Sequence, residues 1–269
     1  MSMSGTTVRS GEQLRLSRHG SVLLIEMVRD GNRNALTTEM KLALSEALVE
    51  ASRPEVRCVV ITGTGKAFCA GGDVKGMDVL QSPDAADKAM RLLHETIVLP
   101  LLRLAKPTIA AVNAVAAGAG VGLALACDFR VVSREADFVL AFSRIGLVPD
   151  FGVSYTLPRL VGAARAKELA FIKGRLTAEE ASQWGLVTEL CAPDAVLGRA
   201  MELAGQLAAG PTVALGLTKR MLDESLSSSV HEALRLEAES QRDAWSTTDH
   251  KIACNAFIQK NDMPSFQGR

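Results

Sequence analysis

The sequence predicts an α/β fold in which strands alternate with helices and a helical region follows. Short runs rich in β-branched residues recur at residues 58–62, 108–112 and 129–132, with the length and composition of buried strands. Helical stretches separate these runs, which is the order of elements in a largely covered sheet. From about residue 194 onward the pattern becomes that of four helices with little glycine. We expect those helices to pack on the same body or on a neighbouring subunit.

The first part of the chain predicts a hairpin followed by a helix. Residues 14–16 and 22–28 predict two strands joined by a tight turn. The polar residues at 37–39 have the composition of a helix start, and the amphipathic pattern after them continues to about residue 51.

The middle and the end of the chain predict further elements of both kinds. The strand at residues 58–62 leads into a loop at residues 63–66. The other elements are a helix at 85–104, a turn at 116–120, a strand at 137–140, a capping box at 177–180, a strand at 186–190 and a helix with Pro211 in its first position.

The apolar stretch at residues 108–127 is long enough to cross a bilayer, which takes about 20 residues. Asn113 lies inside it, and the glycines at positions 118, 120 and 122 interrupt it. We therefore expect a buried strand, a tight turn and a buried helix there, and no contact with a membrane.

Composition and charge limit the classes of partner. The chain has 269 residues, and its 30 basic residues balance its 30 acidic ones without a long block of either sign. Nucleic-acid binding is not expected, because it requires a basic surface. The five cysteines are scattered, without a CxxC pair or a histidine at ligand spacing, so we expect neither a metal site nor disulfides. No signal peptide is recognisable, and a reducing cytoplasm is the expected location.

Asp150 is the only acidic residue between Phe138 and Lys167, and its neighbours form an apolar turn. Desolvation in such a turn raises the pKa of a carboxyl group toward the working range of a general base. Pro149 before it and Gly152 after it are also typical of an ordinary exposed turn. The local sequence leaves both interpretations open.

Two strand-end loops carry small residues, at residues 68–73 and 117–120. Small residues let a backbone approach a ligand, and N–H groups at a helix start have no partner within the helix. Two such loops side by side predict an oxyanion hole, in which preorganised N–H donors stabilise developing negative charge. A dinucleotide fingerprint is disfavoured because the third glycine falls one residue early, at position 122. No GxSxG elbow is present, and glycines that serve packing alone remain an alternative.

Four motifs together resemble the crotonase (enoyl-CoA hydratase/isomerase) superfamily. They are KAFCAGGD at residues 66–73, KPTIAAVN at 106–113, ACD at 126–128 and AFIQK at 256–260, and the resemblance runs from about residue 13 to residue 260. It implies a spiral of ββα units at residues 12–192 and a C-terminal helical trimerisation region at residues 193–269, assembled as a homotrimer or a dimer of trimers. It also implies an acyl-CoA thioester as substrate, with coenzyme A as part of that substrate and no separate cofactor.

The resemblance also implies the site residues by position. The oxyanion-hole donors are the N–H groups of Gly72 and Ala119. The other residues expected at the bound acyl-CoA are Arg33, Ala35, Ala70, Asp73, Val74, Lys75, Phe142, Phe257 and Lys260. Among these, Phe257 and Lys260 match residues that commonly reach the nucleotide end of coenzyme A, often on a neighbouring subunit.

Two departures from the family pattern indicate the reaction. Hydratases of this superfamily carry glutamates where this chain has Gly122 and Phe142, and neither residue can move a proton. Residues 138–150 and 157–162 are instead similar to the 1,2-epoxyphenylacetyl-CoA isomerase branch, and Asp150 matches the acid of several Δ3,Δ2-enoyl-CoA isomerases.

The resemblance therefore implies an acyl-CoA isomerase that uses one acid–base residue, Asp150. It would convert 3-enoyl-CoA to 2-enoyl-CoA or rearrange a ring or epoxide acyl group. The alternatives are a hydratase or lyase with an atypical acid–base set and a non-catalytic acyl-CoA-binding protein.

Overall fold

Runs of aliphatic residues form the strands of two sheets in the computed structural model, which describes residues 5–73, 82–260, 262 and 264–269. The strands are β1 (Thr6–Ser10), β2 (Leu14–His19), β3 (Val22–Met27), β4 (Cys58–Gly63), β5 (Ala67–Cys69), β6 (Thr108–Val112), β7 (Val115–Ala117), β8 (Phe129–Ser133), β9 (Asp137–Val139), β10 (Arg175–Thr177) and β11 (Glu189–Cys191). The helices are α1 (Thr38–Ala51), α2 (Pro83–Leu93), α3 (Leu99–Leu102), α4 (Ala119–Leu125), α5 (Val153–Val161), α6 (Ala163–Glu168), α7 (Ala178–Gln183), α8 (Val196–Ala209), α9 (Thr212–Ser225), α10 (Val230–Trp245) and α11 (Thr248–Gln259).

The larger sheet has the strand order β1-β2-β3-β4-β6-β8-β11. Strands β1 to β3 form an antiparallel meander, and β3, β4, β6, β8 and β11 run parallel. The smaller sheet has the order β10-β9-β7-β5, in which β9, β7 and β5 are parallel and β10 is antiparallel to β9. The α/β class expected from the sequence is confirmed.

Both faces of the larger sheet are covered, which explains why its central strands lack a polar face. Val59 and Ile61 of β4 belong to the main core, which also contains residues of α1, α4 and the smaller sheet. Val60 belongs to a second cluster on the other face, with Ala200 and Ala204 of α8. The predicted division of the chain after residue 192 stays a prediction. Helix α8, which follows that residue, packs against the larger sheet.

Several local predictions are confirmed. Strands β2 and β3 form the expected hairpin. The Thr37 hydroxyl oxygen accepts the Met40 N–H at 3.1 Å at the start of α1, and Thr177 and Glu180 form the capping box of α7. Helices α8 to α11 are the four helices expected after about residue 194.

The apolar stretch at residues 108–127 forms β6, β7 and α4 and is largely buried. In the described part of the chain, no helix is both long and apolar enough to cross a membrane. The turn expected at residues 116–120 begins inside strand β7, whose three residues are too few to show a period of two.

Other expected elements have different bounds. The helix expected at residues 85–104 consists of α2, a π-helical turn at His94–Val98 and α3. The strand expected at residues 186–190 is the shorter β11, because the Leu186 N–H donates back to a carbonyl oxygen of α7 and closes that helix. Pro211 is the N-cap of α9 rather than its first residue.

The pairing of β5 with β7 places two loops at the same edge of the smaller sheet. The strands are parallel, with Ala67 opposite Val115 and Cys69 opposite Ala116. Their carboxyl ends therefore lie side by side, and a glycine-containing loop follows each. Helix α4 packs so closely behind β5 that a Cβ on Gly120 would lie 2.3 Å from the Cys69 carbonyl oxygen.

Replacing Gly120 by alanine is expected to destabilise the fold by about 1–3 kcal/mol or more, because the added methyl group meets backbone atoms. The measurement is the free energy of unfolding in urea at a fixed protein concentration. Gly205→Ala is the matched control, since open space surrounds the Cβ position of this residue in α8. The control should be unchanged or up to about 1 kcal/mol more stable. Equal stability of the two variants would contradict the close contact at Gly120.

Candidate active site

Gly71 and Gly118 bring the two strand-end loops into contact. Their φ angles of 93° and 51° lie in the left-handed region that favours glycine. A Cβ on Gly71 would lie 2.8 Å from the Ala117 carbonyl oxygen and 3.5 Å from the Ala119 nitrogen. The structure thus brings together the two loops that the sequence singled out.

Gly72 and Ala119 each present a backbone N–H group beside this contact. The Leu36 N–H donates to the Gly71 carbonyl oxygen at 2.7 Å, and the Asp73 N–H donates to the Leu36 carbonyl oxygen at 3.2 Å. In this parallel bridge the Gly72 N–H points away from Leu36. Ala119 is the first residue of α4, where an N–H group has no partner within the helix. Among the described residues, neither of the two N–H groups donates to an acceptor.

Asn34 is fully buried and holds the turn before α1 against the segment that leads to the first donor loop. Its amide donates to the carbonyl oxygens of Thr64 at 2.9 Å and Ala67 at 2.8 Å. Its Oδ1 atom accepts the Arg29 N–H at 2.8 Å. The φ angle of 55° is one that asparagine adopts more readily than most residues. The sequence analysis missed this residue, although the polar run DGNRN at residues 30–34 is a turn signal.

Three of the predicted substrate residues lie where this turn meets the donor loop. The Ala70 N–H donates to the Arg33 carbonyl oxygen at 2.9 Å, so this N–H group already has an acceptor. The Ala35 carbonyl oxygen accepts a hydrogen bond from Nη1 of Arg29 at 3.3 Å. Contact of Arg33, Ala35 and Ala70 with a ligand stays a prediction.

Asp73 ends the donor loop and forms an ion pair with Arg29 at 2.8 Å. Both side chains are mostly buried, so the pair fastens the loop to the segment before α1. Arg29 is therefore a second residue of this region that the sequence did not predict, because its partner lies far along the chain. Val74 and Lys75, which were also predicted beside the ligand, lie outside the described residues.

The Asp150 side chain is partly buried. Its Oδ1 atom is buried and has no hydrogen-bond partner among the described residues. Phe151 and Gly152 adopt φ angles of 50° and 78°. The Val153 N–H donates to the Asp150 carbonyl oxygen at 3.0 Å and closes the turn. The residues just before Asp150, such as Leu147 and Val148, are exposed, as in an ordinary turn, whereas Asp150 itself is partly buried.

Burial raises the pKa of Asp150 above its usual value, while the nearby positive charges of Lys41 and His94 lower it in part. Lys41 lies on α1, and His94 begins the π-helical turn between α2 and α3. Such turns are frequent at functional sites. Val98 ends this one and packs on the Asp150 turn, with its Cγ1 atom 3.0 Å from the Cβ position of Gly152. Two separate elements therefore supply the charges that act on Asp150.

Helix α4 also packs against the turn that carries Asp150. A Cβ on Gly122 would lie 2.5 Å from the Phe151 carbonyl oxygen and 2.7 Å from the Phe151 Cβ atom. The Phe151 side chain is itself buried in the main core. Position 122 therefore has no space for a side chain, and the space beside it is filled by the backbone that follows Asp150.

Phe142 lies next to the second donor loop. It is buried, and its Cζ atom is 3.6 Å from the Cβ position of Gly118. An aromatic ring at this place excludes water from one side of the donor loop. Its contact with a substrate stays a prediction.

Phe257 and Lys260 lie at the end of α11, with Lys260 as the C-cap at a φ angle of 55°. Both side chains are exposed, and Phe257 is 81% exposed. Their predicted contact with the nucleotide end of coenzyme A stays a prediction.

The buried cysteines do not compete with Asp150 for acid–base or nucleophilic chemistry. Burial raises the pKa of Cys58, Cys69 and Cys127 to about 12, so their thiols stay protonated near neutral pH. Cys69 directly precedes the first donor loop and is the nearest of them in sequence. Within the described residues, no group of three or more His, Cys, Asp or Glu side chains is placed to hold a metal ion.

The site offers two backbone N–H groups without an acceptor among the described residues and one desolvated carboxyl group. The donors suit an oxygen on which negative charge develops, and the carboxyl group suits a proton on a nearby carbon. Groups of this chemistry suit an enzyme that stabilises an enolate.

Comparisons with known proteins agree with this class. The family profile described as enoyl-CoA hydratase/isomerase matches residues 17–269. The chain is 37% identical over 251 residues to 1,2-epoxyphenylacetyl-CoA isomerase of Escherichia coli (strain K12), covering 92% of this chain and 95% of that protein. It is 32% identical over 256 residues to short-chain-enoyl-CoA hydratase of Clostridium acetobutylicum, covering 94% and 97%.

Solved structures show the same relationship. The crystal structure of enoyl-CoA hydratase/isomerase from Cupriavidus metallidurans CH34 matches with a TM-score of 0.89 at 35% identity, covering 96% of this chain and 97% of that one. The chain belongs to the enoyl-CoA hydratase/isomerase family, whose members act on acyl-CoA thioesters. The predicted crotonase-like fold is confirmed.

Replacing Asp150 by asparagine is expected to increase the free energy of unfolding at neutral pH. The pKa of Asp150 is raised in the folded state, so its contribution to stability is present below the unfolded-state pKa and is lost as the pH rises through the folded-state pKa. Asparagine has no charge to desolvate, so the advantage of the variant should grow from about pH 4 to about pH 7. Urea denaturation across this range measures the effect.

Asp194→Asn is the matched control for this measurement, because Asp194 is exposed. Its stability should follow that of the wild type at every pH. An Asp150→Asn protein that is less stable than the wild type at neutral pH would contradict the burial of an unpartnered carboxylate.

Proposed function

We propose that this chain is an acyl-CoA isomerase that moves a double bond from the 3-position to the 2-position of an enoyl-CoA thioester. The observation that carries the proposal is the buried Oδ1 atom of Asp150, which has no hydrogen-bond partner among the described residues. A buried carboxylate oxygen without a partner costs stability. Such a cost is typical of a group that acts on a ligand.

One carboxyl group suffices for this reaction because the same proton leaves and returns. Asp150 removes a proton from C2 of the 3-enoyl-CoA, and the electrons move onto the thioester oxygen as a dienolate. The N–H groups of Gly72 and Ala119 stabilise that oxygen. The protonated Asp150 then gives the proton back at C4, which leaves the double bond between C2 and C3. The raised pKa supports both steps, since it brings the acid and base forms closer in energy near neutral pH.

The surroundings of Asp150 favour this reaction over hydration. Adding water across a double bond requires groups that orient the water and move its protons. Position 122 is closed by the Phe151 backbone, and position 142 carries a buried aromatic ring. Neither position offers a second proton-transfer group beside the donors.

Rearrangement of a ring or epoxide acyl group is a second candidate. The observation that favours it is the 37% identity over 251 residues to a relative named 1,2-epoxyphenylacetyl-CoA isomerase. Both candidates use the same oxyanion donors, so assays with 3-enoyl-CoA and with an aromatic epoxide acyl-CoA distinguish them directly.

The proposed enzyme has an expected cofactor requirement, cellular location and oligomeric state. Coenzyme A enters as part of the substrate, no separate cofactor takes part, and the chain acts in the cytoplasm as a homotrimer or a dimer of trimers. Exposed apolar side chains on the C-terminal helices support contacts between subunits. Those that are more than half exposed include Leu222, Leu226, Leu234, Phe257 and Ile258. Sedimentation velocity at low micromolar concentration separates the trimer from an active monomer.

Asp150→Asn is expected to lower the rate of 3-enoyl-CoA isomerisation by about 10²- to 10⁴-fold, because the amide cannot accept a proton. The affinity for acyl-CoA should change little, since the thioester is held by backbone donors. The formation of 2-enoyl-CoA is followed by its ultraviolet absorbance, and binding is measured by calorimetry. Asp194→Asn is the control that keeps wild-type turnover. A folded Asp150→Asn protein with the wild-type rate would exclude the mechanism.

Ala119→Pro is expected to lower turnover by about 10²-fold or more, because it removes one of the two donors to the oxyanion. Proline fits the first position of a helix, so α4 should still form. Ala163→Pro is the matched control: Ala163 is also the first residue of a helix and also follows a glycine. Circular dichroism and kcat are measured for both variants. Wild-type kcat in Ala119→Pro would remove this loop from the oxyanion hole.

A further inference from the structure

The segment at residues 264–269, called the strap below, returns from the end of α11 to the start of that helix. The carboxylate of Asp249, the second residue of α11, accepts the Gln267 N–H at 2.6 Å and the Gly268 N–H at 2.8 Å. The Asp249 N–H donates to the Arg269 carbonyl oxygen at 3.2 Å. Asp249 is 2% exposed, so water competes little for these hydrogen bonds.

Arg57 fastens the same strap to the body of the protein. Its guanidinium group donates to the Phe266 carbonyl oxygen at 2.8 Å, to the Thr212 hydroxyl oxygen at 2.8 Å and to the Gly210 carbonyl oxygen. Gly268 of the strap packs on this group, since a Cβ there would lie 3.0 Å from Nε of Arg57. Arg57 directly precedes β4, and Thr212 is the first residue of α9. The strap therefore joins α11 to the larger sheet and to α9.

Apolar packing on the same chain contributes little to the position of α11. Among the described residues of this helix, only Asp249 and Ala256 are buried. The side chains of its last turn are exposed, and those of Phe257 and Ile258 belong to residues that are 81% and 76% exposed. Helices in proteins owe most of their stability to the packing of an apolar face. The hydrogen bonds to the strap are therefore a main part of what holds α11 on its own chain.

The position of the start of α11 determines the position of its end. With a rise of about 1.5 Å per residue, Lys260 lies about 16 Å from Asp249, so a rotation of about 10° at the start moves the end by about 3 Å. Hydrogen bonds and ion pairs do not survive such a shift. The end of the helix carries Phe257 and Lys260, which are predicted to contact the nucleotide end of coenzyme A.

We propose that Asp249 and Arg57 are positioning residues, which hold α11 through the strap and thereby set the affinity for the nucleotide end of coenzyme A. The inference rests on the proposed function, because it takes an acyl-CoA thioester as the substrate and Phe257 and Lys260 as its contacts. Neither positioning residue touches the thioester in this arrangement. A strap that served folding alone would affect every ligand of the enzyme equally.

The test compares two ligands by calorimetry, butyryl-CoA and S-butyrylpantetheine, which is the same thioester without the nucleotide. Asp249→Asn keeps the size of the side chain but offers one acceptor oxygen to two N–H groups of the strap. Its affinity for butyryl-CoA should fall by about tenfold, because binding must then order the end of α11. Its affinity for S-butyrylpantetheine should equal that of the wild type.

Arg57→Met releases the other side of the strap and should give the same two results. In the Asp249→Asn, Arg57→Met double variant, butyryl-CoA affinity should fall no further than in the more affected single variant, because both residues act through one element. A chain that lacks residues 264–269 should also match Arg57→Met. This shortened chain keeps the test decisive if Asp249→Asn does not fold.

Glu232→Gln is the matched control. The Glu232 carboxylate also accepts a backbone N–H at the start of a helix, that of Ser229 at 2.8 Å, but it belongs to α10. This variant should bind both ligands with wild-type affinity.

Three outcomes overturn the inference. The first is wild-type affinity for butyryl-CoA in folded Asp249→Asn and Arg57→Met proteins. The second is an equal loss of affinity for the two ligands, which would assign the strap to folding or assembly alone. The third is additive losses in the double variant. Variants that show the predicted pattern in an enzyme that does not isomerise 3-enoyl-CoA would contradict the proposed function and leave the role of the strap in place.

Discussion

Backbone contacts at two glycines of α4 hold the first donor loop and the turn that carries Asp150 against the same helix. At Gly120 the helix touches the Cys69 carbonyl oxygen, and at Gly122 it touches the Phe151 carbonyl oxygen, with no space for a side chain at either place. The first contact fixes the start of α4, and with it Ala119, beside the first donor loop. The second fixes the turn that carries Asp150. One short helix therefore influences the spacing between the two N–H groups and Asp150, and the proposed proton transfer requires that spacing to be accurate to a fraction of an ångström.

The pKa of Asp150 reflects opposing effects of burial and of nearby basic side chains. The turn packs closely on α4 through Phe151, and burial is the largest cause of the raised pKa of Asp150. Lys41 and His94 act in the opposite direction and lower the pKa of Asp150 in part. A residue with a purely structural role would gain stability from a hydrogen-bond partner for Oδ1. Among the residues that the structure describes, Oδ1 has no such partner, which costs stability, and in the proposed reaction that oxygen takes the proton from the substrate.

The sequence predicted those parts of the structure that are encoded by neighbouring residues. The Thr37 cap, the capping box at Thr177 and the buried run of β4 each depend on a few adjacent side chains, and the sequence placed them correctly. It could not predict the strand at Val115–Ala117 from periodicity, because three residues are too few. It also missed Asn34, whose role depends on a left-handed turn and on carbonyl groups about thirty residues away. Similarly, no local pattern marks the π-helical turn that brings His94 toward Asp150.

The two departures from the hydratase pattern have a common structural effect. The family resemblance puts proton-transfer groups at positions 122 and 142, and in this chain the Phe151 backbone closes the first position and a phenyl ring occupies the second. Both replacements are apolar or without a side chain. Gly122 packs on the backbone of Phe151, and Phe142 lies beside Gly118 of the second donor loop. In the proposed reaction they therefore remove the groups that would handle water, and the Phe142 ring adds an apolar surface beside the second donor loop. In the proposed reaction both replacements act in the same direction. A site that excludes water favours return of the abstracted proton to the substrate over addition of water.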